Sequence, residues 1–368
     1  MSQLPGPHNA ITDVPGILVG HHQRVDDGWA TGTTVVVANT GAVGGVVSRG
    51  GAPGTRETDL LAPDNLVQRV HAICLTGGSA YGLAAADGVM RWLAERNTGF
   101  RVGASEHEVV PIVPTAVIFD LPRSSWGNWP TADFGYAASD SATGGPIEQG
   151  CVGAGTGAVA GDVKGGVGTA SVRVGEHVVG ALAVVNARGA VIDPCTGEPF
   201  AIDHELAGEF GSAHAGSPRR AEPTLENSNA VDDVPASDLN TIIGVVATDA
   251  RLDKAQCRRL AASAHDGIAR AVRPAHSMFD GDTIFGLATG ERPLVNVPAE
   301  RGRFAGAVVT AELVTAELDT AEFAVAVDRL YHAAATTFAR AIVHGVLAAR
   351  SLAGVDAFSD RGSTRVET

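Results

Sequence analysis

Three groups of residues in this sequence could do chemistry: a threonine at a break in composition, two carboxylates around a glycine, and a lysine set among glycines. Thr241 follows Asn240 where an irregular stretch rich in Ser, Pro, Ala and acidic residues, 203–239, gives way to Thr241-Ile-Ile-Gly-Val-Val-Ala-Thr248. That β-branched run is of the kind expected for a buried strand, and the stretch before it reads as a flexible loop. Asn-Thr also occurs at Asn39-Thr40 and Asn97-Thr98, so the dipeptide alone carries no signal. Only at position 240 does a loop meet the first residue of a core strand. A cut there would leave the new α-amino group of Thr241 rigidly held. With a reference pKa of about 7.7 to 8.0, such an amine can serve as base for the hydroxyl of its own residue. One residue would then supply two catalytic groups. An ordinary loop-to-strand junction accounts for the same residues.

Asp280-Gly-Asp282 lies one helix past Thr241, so a strand-helix-turn-strand unit could return both acids to the threonine. Carboxylates spaced i and i+2 around a glycine can orient an ammonium and a hydroxyl, or share a proton. A turn with solvated acids is the plainer alternative, and the further oxygen ligands of an EF-hand loop are missing. Gly153-Ala-Gly-Thr-Gly157 and Lys164-Gly-Gly-Val-Gly168 invite a nucleotide reading that neither satisfies. The first run misses GxGxxG by one place, and no Ser or Thr follows Lys164 as a P-loop requires. A lone lysine among glycines could instead present its charge to a reaction centre. Ser79 stands at a strand-to-helix turn, but Tyr81 occupies the place of the last glycine of GxSxG, so Ser79 reads as a helix N-cap. His21-His22 and His265-Asp266 have no companion ligands at diagnostic spacing, and no metal is expected.

The elements that must position these residues are short. Glycine-bounded β-rich runs recur at 33–38, 72–75, 116–119, 170–174 and 178–185, with helical patterns at 80–95 and around 134–142. Their alternation predicts a mixed α/β body. After the strand at Thr241, Asp253 reads as an N-cap, and Cys257, Leu260, Ala261, Ala264 and Ile268 follow at helical spacing until Pro274. The stretch 319–352, dominated by Ala, Val and Leu, predicts one long buried helix, or two with a break near Gly345. The tail after Val355 is polar and expected to fray.

Composition narrows the function classes. A chain of 368 residues with 45% hydrophobic and 18% charged residues can bury a large core, which excludes disorder of the whole chain. Its 46 glycines and 5% aromatics point to tight turns and close packing of small residues. A formal charge of −14 argues against a hold on a phosphate backbone, so nucleic acid is not an expected partner. Cys74, Cys151, Cys195 and Cys257 form no CxxC pair and read as thiols of a reducing compartment. With no basic region followed by an apolar stretch near the start and no run of about 18 apolar residues, the expectation is a cytoplasmic protein with no membrane partner.

With these residues in view, the chain resembles the nylon-oligomer hydrolase and β-peptidyl aminopeptidase (L-aminopeptidase/D-esterase) family of self-cleaving N-terminal-nucleophile hydrolases. The similarity runs through ITDVPGILVGHH, RGGAPGTRETDLL, LTGGSAYGLAAADGVMRWL, GAGTGA with KGGVGTAS, VVNARG, NTIIGVVATDA, and AHDGIARAVRPAH followed by DGDTIFGLATG. It implies a four-layer αββα sandwich and a single catalytic domain over 1–368. That domain would process itself into 1–240 and 241–368, two subunits that stay together, and assemble as a homo-oligomer, a tetramer in the family's pattern, without a cofactor. By resemblance Thr241 is the nucleophile, Asp280 and Asp282 are the acids that position it, Lys164 is a lysine beside it, and Asn186 donates to the oxyanion. Tyr136, in FGYAAS, aligns with a substrate-contacting tyrosine. The aminopeptidase branch uses serine as nucleophile, whereas this chain has threonine, as the nylon-oligomer branch does. The implied activity is hydrolysis of an amide bond in a small peptide, an amino-acid amide or an ω-amino-acid oligomer. Three rivals stand beside it: an acyltransferase of the ornithine acetyltransferase type, a noncatalytic scaffold, and a serine hydrolase acting through Ser79.

Overall fold

The computed structural model describes residues 4–211, 213, 239–294 and 309–362, the stretch 309–320 as backbone only. Its strands are β1 (Ile17–Arg24), β2 (Thr31–Ser48), β3 (Thr55–Arg56), β4 (Arg69–Thr76), β5 (Phe100–Arg101), β6 (Val109–Val110), β7 (Thr115–Val117), β8 (Val159–Ala160), β9 (Val163–Lys164), β10 (Val167–Val174), β11 (His177–Asn186), β12 (Thr241–Ala250) and β13 (Thr283–Arg292). Its helices are α1 (Ser79–Gly82), α2 (Ala85–Ala94), α3 (Ala132–Asp140), α4 (Lys254–Ala271) and α5 (Val309–Leu347). Each run expected as a strand is present, most of them longer than the periodicity alone indicated.

β2 joins the layers. Hydrogen bonding runs in the order β10-β11-β12-β13-β2-β4-β7-β3, with β1 also on β2. The early part of β2 pairs with β1 and β4 and its late part with β13, and the ladder to β4 shifts between Val37 and Ala42. The exposed Asn39-Thr40 and Gly41, with φ of 73°, occupy that bend. Side chains on the two halves therefore serve different cores. Val36 and Ala38 face the inner core together with Ile243, Val245 and Phe285, whereas Val35 and Val37 face the outer core under α2 and α3. Val43 and Val47 pack instead on the core beneath α4 and α5. Three apolar layers thus separate two helix layers and two sheet layers, the four-layer αββα sandwich.

Capping and small residues fix the helices. Asp253 caps α4 through Gln256 N–H, and Gln256 returns its side chain to the Asp253 amide, a capping box typically worth about 1 kcal/mol. The stripe Cys257, Leu260, Ala261, Ala264 and Ile268 is buried as the spacing predicts. Of the two readings of 319–352, the single long helix is the one present: α5 runs through Gly345, where a side chain would meet Val185 Cγ2 at 2.9 Å and Gly166 O at 3.0 Å. The pattern at 80–95 splits into α1 and α2, and Ser79 is not the cap. Gly78, with φ of 82°, holds the cap position, and Ser79 is the first helical residue with φ of 51°.

Of the loop expected at 203–239, residues 212 and 214–238 lie outside the described residues. Its beginning is anchored: Phe210 and Ala213 are buried, and Glu209 pairs with the fully buried Arg340. Residues 363–368 of the polar tail also lie outside the described residues.

Candidate active site

Thr241 opens β12, an interior strand, with β11 antiparallel on one side and β13 parallel on the other. This position is forced by the pattern Thr241-Ile-Ile-Gly-Val-Val, whose alternate side chains enter the cores on both faces of the sheet. The register sets Asn186, the last residue of β11, directly opposite Thr241. On the other side the parallel ladder continues one step before the strands, as a bridge between Asn240 and Asp280. The crossover through α4 therefore brings Asp280-Gly-Asp282 back beside Asn240-Thr241-Ile242. Of the three Asn-Thr pairs, only this one is buried, at 9% and 5% exposure.

The contacts within this corner are dense. Thr241 Oγ hydrogen-bonds to the Asn240 carbonyl, the carbonyl of the bond before it. The Gly281 N–H points to both, at 3.2 Å from Thr241 Oγ and 3.2 Å from Asn240 O. Asp280 is fixed by the Ser277 N–H (2.8 Å) and hydroxyl (2.6 Å) and by the Arg188 N–H (3.4 Å). Asp282 accepts from Ile242 N–H at 2.8 Å and contacts His276 Nδ1 at 2.7 Å. Burial pushes the Asp282 carboxyl up, the His276 and Ile242 hydrogen bonds pull it down, and the Asp280 charge pushes it up again. The RGGAPG motif explains itself here. Ala52 N–H donates to Asp280 O at 3.0 Å, and a side chain on Gly50 would meet that same oxygen at 2.0 Å.

The two glycine-rich runs wrap Lys164, which is fully buried at the end of β9. Its Nζ donates to Gly155 O (3.0 Å), Ala158 O (2.7 Å) and Gly165 O (2.9 Å). Burial pulls the ammonium down to about 8, with Cys151 and Asp120 offsetting part of the effect. Asn186 Oδ1 accepts from Val159 N–H at 3.0 Å, which turns the Nδ2 donor side away from that strand and leaves it a long 3.4 Å contact to Phe119 O. The next residue, Asp120, is buried and accepts from Thr31 Oγ at 2.6 Å and Gly78 N–H at 2.6 Å. Burial pushes it up to about 6 against those two bonds and the Lys164 charge.

The structure thus brings Thr241, Asn186, Asp280 and Asp282 together, and links Lys164 to Asn186 through Val159, its ladder partner. It does not bring Tyr136 to them. That residue sits on α3 in the outer helix layer, its hydroxyl donating to Glu95 at 2.8 Å and Arg91 lying over its ring at 4.7 Å. The alignment of FGYAAS rested on residue type, and the helix face points the side chain at α2. Sequence reasoning missed His276, Ser277, Asp120 and the Gly281 amide. The one local signal was Ser277 three residues before Asp280; the others depend on pairings between distant segments. No group of His, Cys, Asp and Glu among the described residues is arranged to hold a metal, and no described helix is long and apolar enough to cross a membrane.

The site is a buried threonine hydroxyl at the head of β12, backed by two fixed carboxylates. The chain is similar in structure to the L-aminopeptidase D-Ala-esterase/amidase from Ochrobactrum anthropi, described as a variant of the N-terminal-nucleophile hydrolase fold, with a TM-score of 0.64 at 23% identity, covering 96% of this chain and 89% of that one. Residues 9–359 match peptidase family S58, and the chain belongs to that family. It is 51% identical over 359 residues to an uncharacterized aminopeptidase of Mycobacterium tuberculosis, covering 96% of this chain and 97% of the relative. It is 32% identical over 303 residues to the 6-aminohexanoate-oligomer endohydrolase of Kocuria sp., covering 80% and 79%. The chain is a hydrolase of amide bonds, and this family does not favour the acyltransferase alternative.

Proposed function

We propose that this hydrolase cuts its own chain between Asn240 and Thr241 and then uses Thr241 as an N-terminal nucleophile on small peptides, amino-acid amides or ω-amino-acid oligomers. The observation that carries the reading is the hydroxyl of Thr241 lying against the Asn240 carbonyl, with the Gly281 N–H directed at both. In the first reaction Oγ attacks the Asn240 carbonyl carbon while the Gly281 N–H stabilises the oxyanion. The C–N bond breaks, the proton from Oγ passes to the departing nitrogen, and water hydrolyses the resulting ester.

In the second reaction the freed amine takes the hydroxyl proton as Oγ attacks a substrate carbonyl. The Asn186 Nδ2 donates to the oxyanion, and the amine returns the proton to the leaving nitrogen, which departs and leaves an ester on Oγ; water, giving a proton to the same amine, then attacks that ester, and the acid product leaves as the proton returns to Oγ. Asp280 and Asp282, immobilised on both oxygens, hold the ammonium form of Thr241 in place. Lys164 adds a buried positive charge close to Asn186.

The cut would not part the fragments. β11 stays paired with β12, and β2 with β13, across the division. The names of the relatives, an aminopeptidase and an oligomer endohydrolase, support a substrate with a linear amide and a small acyl group. A reducing cytoplasmic setting fits four cysteines that are all free, and a homo-oligomer of the family's tetrameric kind is the proposed assembly, to be read by size-exclusion chromatography with light scattering. Intact mass and N-terminal sequencing of the protein beside Thr241→Ala test the central claim. Two fragments, the smaller beginning Thr-Ile-Ile-Gly, are expected in the first and one full-length chain in the second. A wild-type chain that stays whole while hydrolysing amides would sink the claim.

A further inference from the structure

Asp282 is gripped on both oxygens, and one grip comes from outside the acidic turn. His276 Nδ1 lies 2.7 Å from Asp282 Oδ2, while Ile242, next to the nucleophile, donates its N–H to Asp282 Oδ1 at 2.8 Å. His276 takes a left-handed backbone conformation with φ of 57°. Such residues are uncommon and gather at sites that the surrounding structure must hold in shape. Behind it, the ring of His265 meets the His276 ring at 5.0 Å and 61°. His265 Nε2 bonds to Val47 O at 2.9 Å, and burial takes that imidazole down to about 3, so it is neutral. The remaining ring nitrogens, His276 Nε2 and His265 Nδ1, are buried without a hydrogen-bond partner among the described residues. The polar reach of His276 is therefore spent on Asp282.

We infer that His276 is a positioning residue for the Thr241 chemistry, donating from Nδ1 to Asp282 so that this carboxylate stays ionised and correctly turned toward the strand that begins with the nucleophile. The inference rests on the reading of Thr241 given above. Its electrostatic surroundings are mixed. Asp282 faces it from the acidic turn, with Asp280 acting on that carboxylate, and His265 faces it from α4, beside which Arg49, just after β2, lies 3.7 Å from Asp266. Burial of Asp282 favours its neutral form, and the His276 hydrogen bond is the foremost influence against it. Loss of the donor should therefore raise the pH at which Asp282 ionises and move the acid limb of activity upward. A purely structural role would leave that limb in place.

The test compares wild type with His276→Ala, His276→Leu and His276→Asn, all checked for folding by circular dichroism. Both self-cleavage, read by intact mass over time, and kcat for an amino-acid amide are followed against pH. Asparagine tolerates the left-handed backbone and keeps an N–H donor near the position of Nδ1. The Ala and Leu variants are expected to lose on the order of 10- to 100-fold in both rates, as when an orienting partner behind a working group is removed. Their KM should change little, their acid limb should move to higher pH, and Asn should restore most of the rate. The inference is overturned if either loss variant keeps wild-type rates and an unmoved acid limb, or if folded His276→Asn is as slow as the loss variants. A wild type that never cleaves and an active Thr241→Ala would instead overturn the nucleophile itself, an outcome plainly distinct from these.

Discussion

The molecule buries charge in two places and treats it in opposite ways. Between α5 and the segment after β11, Arg340 bonds Glu209 at 2.5 and 2.7 Å, Asn9 Oδ1 at 2.7 Å and Ser171 O at 2.8 Å, while His344 Nε2 closes on Glu209 at 2.8 Å. Burial acts to raise the Glu209 carboxyl, but the bonds from Arg340 and His344 prevail and hold it down to about 2. The carboxylate there is partnered on both oxygens and stays ionised. Around Thr241 the balance is reversed: burial wins, with Lys164 pulled down to about 8, Asp120 pushed up to about 6 and Asp282 raised. A fully matched cluster fastens parts of a fold, whereas a cluster whose groups sit near the point of changing charge can move protons. Glu209 precedes the proposed cut and Arg340 follows it, so the matched cluster also ties the two fragments together.

The comparison breaks first at Arg340. Arg340→Met should destabilise the protein by about 3–5 kcal/mol, because Glu209 is left without its main partner, while the rate per folded molecule stays near wild type. Denaturant unfolding beside an activity titration measures both, and unchanged stability would show that the cluster is no fastener. Asn186→Ala should do the reverse. Loss of an oxyanion donor costs roughly 10²- to 10³-fold in kcat, about 2.7–4 kcal/mol of barrier, with a melting temperature close to wild type. A large drop in stability with intact kcat would make Asn186 a strand-end anchor instead.

Acid titration sharpens the contrast. The folded pKa of Glu209 lies below its ordinary 4.5, so its contribution is present above that value and is lost as pH falls toward about 2. The folded pKa of Asp120 lies above its ordinary 3.8, so its contribution falls as pH rises from there through about 6. Stability measured against pH should lose the first slope in Glu209→Gln and the second in Asp120→Asn. Matching slopes in the two variants would mean that the clusters are not opposites. The smallest effect is expected at Tyr136→Phe, within about 0.5 kcal/mol in stability, as for a half-buried side chain at the surface, and with unchanged kcat/KM. A clear rise in KM would return this tyrosine to the substrate.

The sequence by itself determined most of the elements and singled out Thr241 as a candidate nucleophile. Alternation and helical spacing are properties of neighbouring residues, so the strand at Thr241, the capping box at Asp253 and Gln256, the stripe of α4 and the carboxylates at Asp280 and Asp282 were legible locally. The resemblance to a family added Asn186 and Tyr136 to the candidates, and Tyr136 lies apart from the others, against Glu95 and Arg91. What only the tertiary structure decided is who meets whom. Asn186 faces Thr241 through strand register, Asp280 reaches Asn240 across a parallel bridge, and Asp120 closes on Thr31 and Gly78. Whether the long helix breaks at Gly345 stays open in the sequence until Gly168 and the facing strand are present to need its small size. His276 has no pattern around it that announces a role, because its partner is set by the turn that folds Asp282 back beneath it. Local periodicity is fixed by a few residues and the nearest core, whereas a hydrogen-bonded site depends on sheet register and crossover geometry, which arise from contacts distributed over the whole chain.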